Sequence, residues 1–254
     1  MNVFDFLDLK GKRILVTGAS SGIGRETSIL LSKFGAKTVL AARNEERLKQ
    51  TKYALEGDGH DYHCFDFKEI SKIEELMQRI VDDGGKLDGF VHSAGIASAI
   101  PLQLSVFEAI HEIMLVNFYS FMELARIFAK KKIHNNGGSI VVISSVASSS
   151  GTNALSAYSA SKAAVNGAVR ALARELHSKK IRVNSILPGI VKTPMSEKYF
   201  EEYGDTESEK YSMQRQYMGL IEPLSVTNTI AFLLSSASFY INGSAVPVDA
   251  GYLS

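Results

Sequence analysis

The sequence lacks most features that mark exported, membrane-bound or nucleic-acid-binding proteins. Its single cysteine, Cys64, cannot form an intrachain disulfide, which favours a reducing compartment. The 28 basic and 27 acidic residues leave a net charge of +1, without the basic excess typical of proteins that bind nucleic acid. No apolar run approaches the roughly 20 residues of a membrane span, and residues 1–12 lack the apolar segment of a signal peptide. We therefore expect a cytoplasmic protein that binds neither nucleic acid nor membrane.

Proline is also scarce, with five residues in all and four of them beyond residue 180. No linker rich in proline, glycine or serine divides the 254 residues, a length that suits one large α/β domain. We expect a single domain over residues 1–254. The least regular stretch lies at 193–223, so a substrate lid is expected at about 194–220.

Short apolar runs alternate with segments of helical spacing along the chain. Strands are predicted at 13–17, 37–42, 61–67, 87–93, 139–145, 182–187 and 241–248, and helices at 22–34, 45–55, 70–83, 107–131 and 158–178. Strands that alternate with helices of crossover length indicate a parallel sheet. The pattern predicts an α/β fold of the Rossmann type, a doubly wound sheet of about seven parallel strands with helices on both faces.

The first predicted strand runs directly into TGASSGIG at 17–24, which opens a helix. Glycines at 18, 22 and 24 would let the main chain approach a pyrophosphate, and the N-terminus of the helix favours negative charge. The spacing is G-x-x-x-G-x-G, and a glycine cluster of this kind can be only a turn. Its place between the first strand and the first helix favours dinucleotide binding.

The end of the second strand bears on the choice of dinucleotide. It reads Ala41-Ala42-Arg43-Asn44, with no carboxylate to accept a hydrogen bond from the ribose 2′-hydroxyl of NAD. A guanidinium accommodates the 2′-phosphate of NADP. Arg43 therefore favours NADP(H). The alternative interpretation is that Arg43 is a solvated residue on the surface. Asp66, at the end of the third strand, either contacts the adenine or serves as a loop or cap residue.

The segment YSASK places Tyr158 and Lys162 four residues apart, on one face of a helix. A nearby ammonium is expected to lower the pKa of the phenol, which would make the pair a general acid and base for a carbonyl oxygen. A surface pair would show the same spacing. The preceding strand ends at Ser144 and Ser145, where a hydroxyl could stabilise charge on a substrate oxygen or simply end the strand.

Taken together, these segments resemble the short-chain dehydrogenase/reductase family over nearly the whole chain. The matching motifs are TGASSGIG at 17–24, ISS at 143–145, YSASK at 158–162, PGIVKTPM at 188–195 and VDAGY at 248–252. The resemblance implies a catalytic tetrad. Tyr158 is the acid/base, Lys162 lowers its pKa and holds the nicotinamide ribose, Ser145 rather than Ser144 is the catalytic serine, and Asn117 organises a proton-relay water.

The resemblance also implies NADP(H) as the preferred cofactor, with NAD(H) as the alternative. Ala42 before Arg43 resembles the NADP-preferring pattern, and Asp66 with Phe67 is expected beside the adenine. The residues expected to bind the cofactor are Gly18, Ser20, Ser21, Gly22, Ile23, Gly24, Arg43, Asn44, Asp66, Phe67, Ser93, Ala94, Gly95, Tyr158, Lys162, Pro188, Gly189, Val191 and Thr193.

One segment departs from the family pattern, because the usual Asn-Asn-Ala-Gly after the fourth strand is His92-Ser93-Ala94-Gly95 here. Ala94 and Gly95 keep the close approach of the main chain to the cofactor. We expect His92 to brace the sheet through its ring nitrogens in place of the asparagines. The other histidines are interpreted as structural or surface residues, and no metal site is expected.

The sequence thus favours an oxidoreductase that reduces a ketone or aldehyde to an alcohol, with Tyr158 as the proton donor. Similar family members include 3-oxoacyl-carrier-protein reductases, and the aromatic and methionine residues of the lid suit a 3-oxoacyl thioester or a related apolar carbonyl, unless they pack the lid onto its own domain. Two alternatives stay open: an NAD-dependent alcohol, polyol or sugar dehydrogenase, and a non-catalytic dinucleotide-binding regulator. The resemblance implies a homotetramer or homodimer that packs through the helices at 107–131 and 158–178.

Overall fold

The computed structural model describes residue 7, residues 9–203, residue 210 and residues 213–254. Within these residues, seven parallel strands form one sheet in the order β3-β2-β1-β4-β5-β6-β7. The strands are β1 (Arg13–Thr17), β2 (Lys37–Ala42), β3 (Asp61–Cys64), β4 (Leu87–His92), β5 (His134–Ile143), β6 (Ile181–Pro188) and β7 (Ala245–Val248). The predicted doubly wound α/β fold is confirmed.

The described helices cover both faces of this sheet. They are α1 (Gly22–Lys33), α2 (Glu45–Tyr53), α3 (Ile73–Gly84), α4 (Phe107–Met114), α5 (Ser120–Phe128), α6 (Ser156–Glu175), α7 (Pro194–Tyr203) and α8 (Pro223–Leu234). Successive residues of β1 point to opposite faces, so Leu15 joins the core under α3, α5 and α6 while Val16 joins the core under α1 and α8. None of these helices is both long and apolar enough to cross a membrane.

The predicted helix at 107–131 is instead three segments, because a π turn at Leu115–Tyr119 separates α4 from α5. The Ser120 N–H bonds to the carbonyl of Leu115 and not to that of Val116. The Val116 carbonyl accepts from the Ser120 hydroxyl at 2.6 Å. In the turn, the Val116 carbonyl is therefore available to side-chain donors. The turn also places the polar residue Asn117 in the interior.

Several boundaries also differ from the prediction. β3 ends at Cys64 and not at residue 67, because its partner β2 ends at Ala42, opposite Cys64. β5 begins at His134 and not at residue 139, through an irregular register in which Leu87 pairs with His134. β7 covers only 245–248 of the predicted 241–248, and α6 begins at Ser156, just before Tyr158.

The order of the strands reverses at β1, which pairs with both β2 and β4. In a doubly wound sheet the loops on either side of such a reversal diverge and leave a crevice at the carboxyl edge. The motifs that follow β1, β4 and β5 meet at this edge.

Candidate active site

A cleft of about 900 Å³ opens at the carboxyl edge of the sheet. The structure gathers the predicted site residues along it, except that Gly24 and Asn117 lie behind its wall. The predicted residues that line the cleft are Gly18, Ser20, Ser21, Gly22, Ile23, Arg43, Asn44, Asp66, Phe67, Ser93, Ala94, Gly95, Ser145, Tyr158, Lys162, Pro188, Gly189, Val191 and Thr193. Their roles in binding and catalysis stay predictions.

The glycines after β1 are needed for close packing. Gly18 has a φ of +66°, and a Cβ there would lie 2.8 Å from the main chain of Ser93 and Ala94. A Cβ on Gly24 would lie 2.3 Å from the carbonyl oxygen of Gly18. Helix α1 then begins at Gly22 with no acidic residue in its first turn and no cap from the Ser21 side chain. Uncapped N–H groups at this end suit an anionic ligand.

Two arginines lie at the end of the cleft beside β2. Arg43 follows the strand, and Asn44 caps α2 by accepting a hydrogen bond from the Arg47 N–H at 2.9 Å. Arg47 therefore lies in the first turn of α2 and lines the same cleft. It was not predicted from the sequence, although its place in the first turn of the predicted helix at 45–55 was an available signal. Asp66 also lines this end, and its carboxylate accepts from the Lys68 N–H at 3.0 Å.

Tyr158 and Ser145 meet at the other end of the cleft. Tyr158 lies in the first turn of α6, close enough to the Ser145 hydroxyl, which follows β5, for that hydroxyl to act on the pKa of the phenol. The Ser145 hydroxyl also accepts from the Ala147 N–H at 3.1 Å. Ser144 instead donates to the carbonyl of Lys162 at 3.1 Å, so its hydroxyl is engaged away from Tyr158. A tyrosine and a serine hydroxyl thus lie side by side where a substrate oxygen could contact both.

Lys162 lies directly behind Tyr158. Its ammonium is buried, donates to the carbonyl of Ile143 at 2.8 Å and lies 5.7 Å from the centre of the Tyr158 ring. Burial lowers the pKa of Lys162 to about 8. Burial also raises the pKa of Tyr158, and the Ser145 hydroxyl opposes this rise only in part.

The pKa of Tyr158 is therefore raised in this structure and not lowered, because the cost of burying a phenolate is the largest contribution. The influence of Lys162, whose ammonium donates to the Ile143 carbonyl, stays a prediction. Tyr158 consequently keeps its proton at neutral pH, which is the state required of a proton donor.

Asn117 anchors the loop after β4. Its side-chain oxygen accepts from the Ile96 N–H at 2.9 Å, while its amide donates to the Ile96 carbonyl and to the Ser161 hydroxyl, each at 3.0 Å. A Cβ on Gly95 would lie 3.3 Å from the Asn117 oxygen and 3.5 Å from the Lys162 ammonium. Asn117 therefore packs against the inner wall of the cleft beside Lys162, and its role in holding a relay water stays a prediction.

His92 braces the sheet through both ring nitrogens, as expected from the sequence. Nδ1 lies 3.0 Å from the Thr17 hydroxyl, and Nε2 lies 3.2 Å from the Ser120 hydroxyl. Burial and the charge of Lys162 lower the pKa of His92 to about 3, so the ring is neutral at physiological pH.

The predicted lid contributes helix α7 to the rim of the cleft. Thr193 and Ser196 cap its start reciprocally, with hydrogen bonds of 3.0 and 3.3 Å between their main-chain N–H groups and hydroxyls. Met195 and Tyr199 line the cleft, whereas Tyr217 and Met218 are exposed. The predicted lid side chains of Tyr203 and Tyr211 lie outside the described residues.

Two further residues at this site were missed in the sequence. Gln216 is buried and holds the main chain of Ile190, beside the segment expected to contact the nicotinamide. Tyr252, in the closing VDAGY motif, lines the cleft and is also buried. A lone glutamine in an irregular segment gives no sequence signal, but Tyr252 belongs to a motif that had already been identified.

A separate polar cluster lies at the opposite end of the sheet, at the start of β3 and the end of α3. Asp61, His63 and Asp83 each offer one ligand atom, and these atoms lie within 4.8 Å of one another. Arg13 is attracted to both carboxylates. Burial lowers the pKa of His63, and the carboxylates oppose this lowering while Arg79 and Arg13 add to it. We interpret the cluster as an ion-pair group in which guanidinium charge balances the carboxylates.

Comparison with known proteins identifies similar sequences over nearly the full chain. The profile of a family described as enoyl-(acyl carrier protein) reductase matches residues 18–253. The chain is 31% identical to a 3-oxoacyl-[acyl-carrier-protein] reductase of Thermotoga maritima, over 96% of this chain and 98% of that protein. It is 34% identical to an L-xylulose reductase of Caenorhabditis elegans, over 98% and 97% of the two chains.

The fold is also shared with solved structures. A single-site variant of actinorhodin polyketide ketoreductase, determined with NADPH, superposes with a TM-score of 0.85 at 28% identity. The match covers 95% of this chain and 97% of that one.

Proposed function

Because the chain belongs to the short-chain dehydrogenase/reductase family of oxidoreductases, we propose that it reduces a ketone or aldehyde to an alcohol with NADPH. The observation that carries this proposal is a single cleft with two different ends. One end presents the glycine turn and two arginines, and the other presents Tyr158 beside Ser145. The two ends of the cleft thus offer adjoining sites for a dinucleotide and for a reacting carbonyl group.

The residues present fit NADP(H). The first turn of α1 offers N–H groups for a pyrophosphate, and Arg43 with Arg47 offers guanidinium groups for a 2′-phosphate. Gly189, Val191 and Thr193 line the cleft between α1 and the reacting end, where the nicotinamide is expected. The NADPH bound to the actinorhodin ketoreductase supports the same choice. When bound, NADPH supplies the hydride that reduces the carbonyl carbon.

Residues of this chain would polarise and protonate the oxygen of the carbonyl. Ser145 donates a hydrogen bond that polarises the carbonyl. Tyr158 donates its proton to the oxygen as negative charge develops there. The buried ammonium of Lys162 lies near enough to stabilise the phenolate that this transfer leaves.

The walls of the reacting end suit an apolar substrate. They include many small and aliphatic side chains, with three hydroxyls among them: Ile96, Ala97, Ser98, Ala99, Val146, Ala147, Thr152, Leu155, Met195 and Tyr199. A sugar or polyol would bring several hydroxyl groups, and each would lose hydrogen bonds to water on entry. The lining therefore favours a 3-oxoacyl thioester or a related apolar carbonyl, in line with the Thermotoga relative. The similarity to L-xylulose reductase makes a ketose the second candidate.

A panel assay tests this proposal directly. Oxidation of NADPH and of NADH would be followed with a 3-oxoacyl thioester, an apolar ketone and a ketose. We expect the highest kcat/KM with NADPH and the thioester or the apolar ketone. A clear preference for NADH with a ketose or polyol would favour the NAD-dependent dehydrogenase, and tight cofactor binding without any turnover would favour the regulator.

Assembly and location belong to the same proposal. Ala160, Ala163 and Ala171 are exposed along α6, and Phe107 on α4 is 72% exposed. Small residues allow helices to approach closely, so these surfaces support a homotetramer or homodimer. The single cysteine is compatible with a cytoplasmic location.

A further inference from the structure

Behind the cleft, a row of polar side chains crosses the interior from β1 to the π turn. It consists of Thr17 at the end of β1, His92 at the end of β4 and Ser120 at the start of α5, all of them buried. Phe67 and Phe121 lie on either side of the imidazole, with ring centres 6.0 Å from it. In such a setting each polar atom needs a partner, so the hydrogen bonds can be assigned one by one.

The direction of the first hydrogen bond follows from the two others that Thr17 makes. Its hydroxyl oxygen accepts from the Ser93 N–H at 3.2 Å and from the Ala94 N–H at 3.1 Å. A hydroxyl has two lone pairs and one proton. With both lone pairs engaged, Thr17 must donate its proton to Nδ1 of His92, 3.0 Å away. Nδ1 is therefore the acceptor nitrogen of the ring.

The neutral imidazole then carries its proton on Nε2. Ser120 donates to the Val116 carbonyl at 2.6 Å, so its oxygen is free to accept from the Nε2–H at 3.2 Å. The Val116 carbonyl lies 3.4 Å from the same nitrogen. The row thus runs in one direction, from Thr17 through His92 and Ser120 to the carbonyl that the π turn leaves open.

This row connects the two supports of the loop at 93–96, which lines the cleft. Thr17 holds the start of the loop at Ser93 and Ala94, and Asn117 holds its end at Ile96. Asn117 is the residue after Val116 in the π turn. The His92 ring bridges Thr17 and the π turn that carries Asn117. It therefore sets the distance between the two residues that hold the loop.

We propose that His92, as the neutral tautomer protonated on Nε2, is a positioning residue that fixes the π turn and Asn117 relative to the cofactor-binding turn. Imidazole suits this task because its two nitrogens point in different directions, one to each support. An asparagine, the usual residue of the family here, has a shorter side chain with both polar atoms on one carbon. The effect of His92 on turnover rests on the proposed function, whereas its tautomer and hydrogen bonds do not.

The tautomer is tested by NMR of protein labelled with ¹⁵N in the histidine rings. His92 is assigned as the resonance pair that disappears in His92→Asn. We expect an Nε2-protonated ring that does not titrate between about pH 5 and pH 9. A ring protonated on Nδ1, or one that titrates within this range, would overturn the proposal whether or not the protein proves to be a reductase.

The positioning role is tested by steady-state kinetics. His92→Asn and His92→Gln are expected to lower kcat by about 10- to 100-fold, the scale of a small misplacement at a reacting centre. We expect a change of less than about threefold in the NADPH dissociation constant. The reason is that the substitutions affect the position of Asn117, which holds the end of the loop at Ile96. His63→Asn alters another buried histidine, remote from the cleft, and is expected to leave kcat within about twofold.

A double-mutant cycle separates positioning from general loss of stability. If His92 acts through the π turn, His92→Asn adds little to the loss already caused by Asn117→Ala. Full additivity of the two losses, or an unchanged kcat in both folded His92 variants, would overturn the positioning role. A wild-type protein inactive on every carbonyl would instead count against the proposed function and leave the NMR test to decide the tautomer.

Discussion

The side-chain amide of Gln216 pairs with both polar main-chain groups of Ile190. Its oxygen accepts from the Ile190 N–H at 2.7 Å, and its nitrogen donates to the Ile190 carbonyl at 3.0 Å and to that of Gly219 at 2.7 Å. A Cβ on Gly189 would lie 2.3 Å from the Gln216 oxygen, so a glycine is needed there. The segment after β6 is thus held against the chain that returns from the lid.

Replacement of Gln216 is expected to weaken both the fold and the cofactor site. Gln216→Glu removes the two donated hydrogen bonds and places a carboxylate against two carbonyls. Loss of stability should be about 1–3 kcal/mol, the usual cost of unpaired buried polar groups. Urea unfolding and the NADPH dissociation constant measure the two effects. Gln214→Glu, at an exposed position nearby, is the matched control, and equal behaviour of the two variants would contradict the role of Gln216.

Tyr158→Phe should abolish most of the turnover without weakening cofactor binding. The variant removes only the hydroxyl oxygen and its proton, and general acid catalysis typically contributes about 10²–10⁴-fold. Ser145→Ala should lower kcat by a smaller factor, because Tyr158 keeps its proton. Tyr53→Phe, at a tyrosine that is 93% exposed on α2, serves as the control. Near-normal kcat in Tyr158→Phe would remove this residue from the mechanism.

The buried Lys162 makes the stability of the cofactor-free protein depend on pH. Its pKa in the fold, about 8, lies below the ordinary value of 10.5, so the unfolded chain binds more protons between these pH values. The cost of burying the ammonium is therefore full below pH 8 and is relieved as the pH rises towards 10.5. At about 1.4 kcal/mol per pH unit, this cost is about 3 kcal/mol.

Lys162→Met lacks that titration. We expect it to be more stable than the wild type near neutral pH, by less than the full cost because the hydrogen bond to Ile143 is also lost. The difference in the free energy of unfolding should shrink as the pH rises from about 8 to 10. A difference that stays constant over this range would show that Lys162 is not the group that titrates.

Assembly through α6 can be tested at Ala163. The residue is exposed in the single chain and lies on the face of α6 that also carries Ala160 and Ala171. Ala163→Glu should introduce a charge into a close helix contact and shift the protein to smaller species in analytical ultracentrifugation. Ser178→Glu, at an exposed position beyond the end of α6, makes the same change of charge and serves as the reference. An unchanged assembly in Ala163→Glu would place the interface elsewhere.

The sequence predicted the sheet and the residues that meet at its edge because alternating patterns and motifs are local signals. The strand before Gly18 and the helix that carries Tyr158 and Lys162 could be read from periodicity and spacing. What depended on three-dimensional packing could not be predicted. The π turn is accompanied by a contact between Ser120 and His92, which are 28 residues apart in the sequence.

The direction of the Tyr158 pKa shift could not be predicted from the sequence for the same reason. Spacing placed Lys162 beside it, but the direction of the shift depended on the burial of the phenol. Gln216 escaped notice because its partners on Ile190 are distant in sequence. Contacts of this kind become visible only once the chain is folded.

We propose that the cleft holds NADP(H) through its arginines. The most direct measurement is the dissociation constant of NADPH and of NADH for the wild type, Arg43→Ala, Arg47→Ala and the control Arg174→Ala, with reduced nicotinamide fluorescence as the signal. We expect NADPH to bind about 10- to 100-fold more tightly than NADH, the scale of a charge-assisted contact, with most of this preference lost in Arg43→Ala. Arg47→Ala should reduce the preference in part, and Arg174→Ala should leave it unchanged. Equal or tighter binding of NADH by the wild type would contradict the claim and make the NAD-dependent dehydrogenase the leading account.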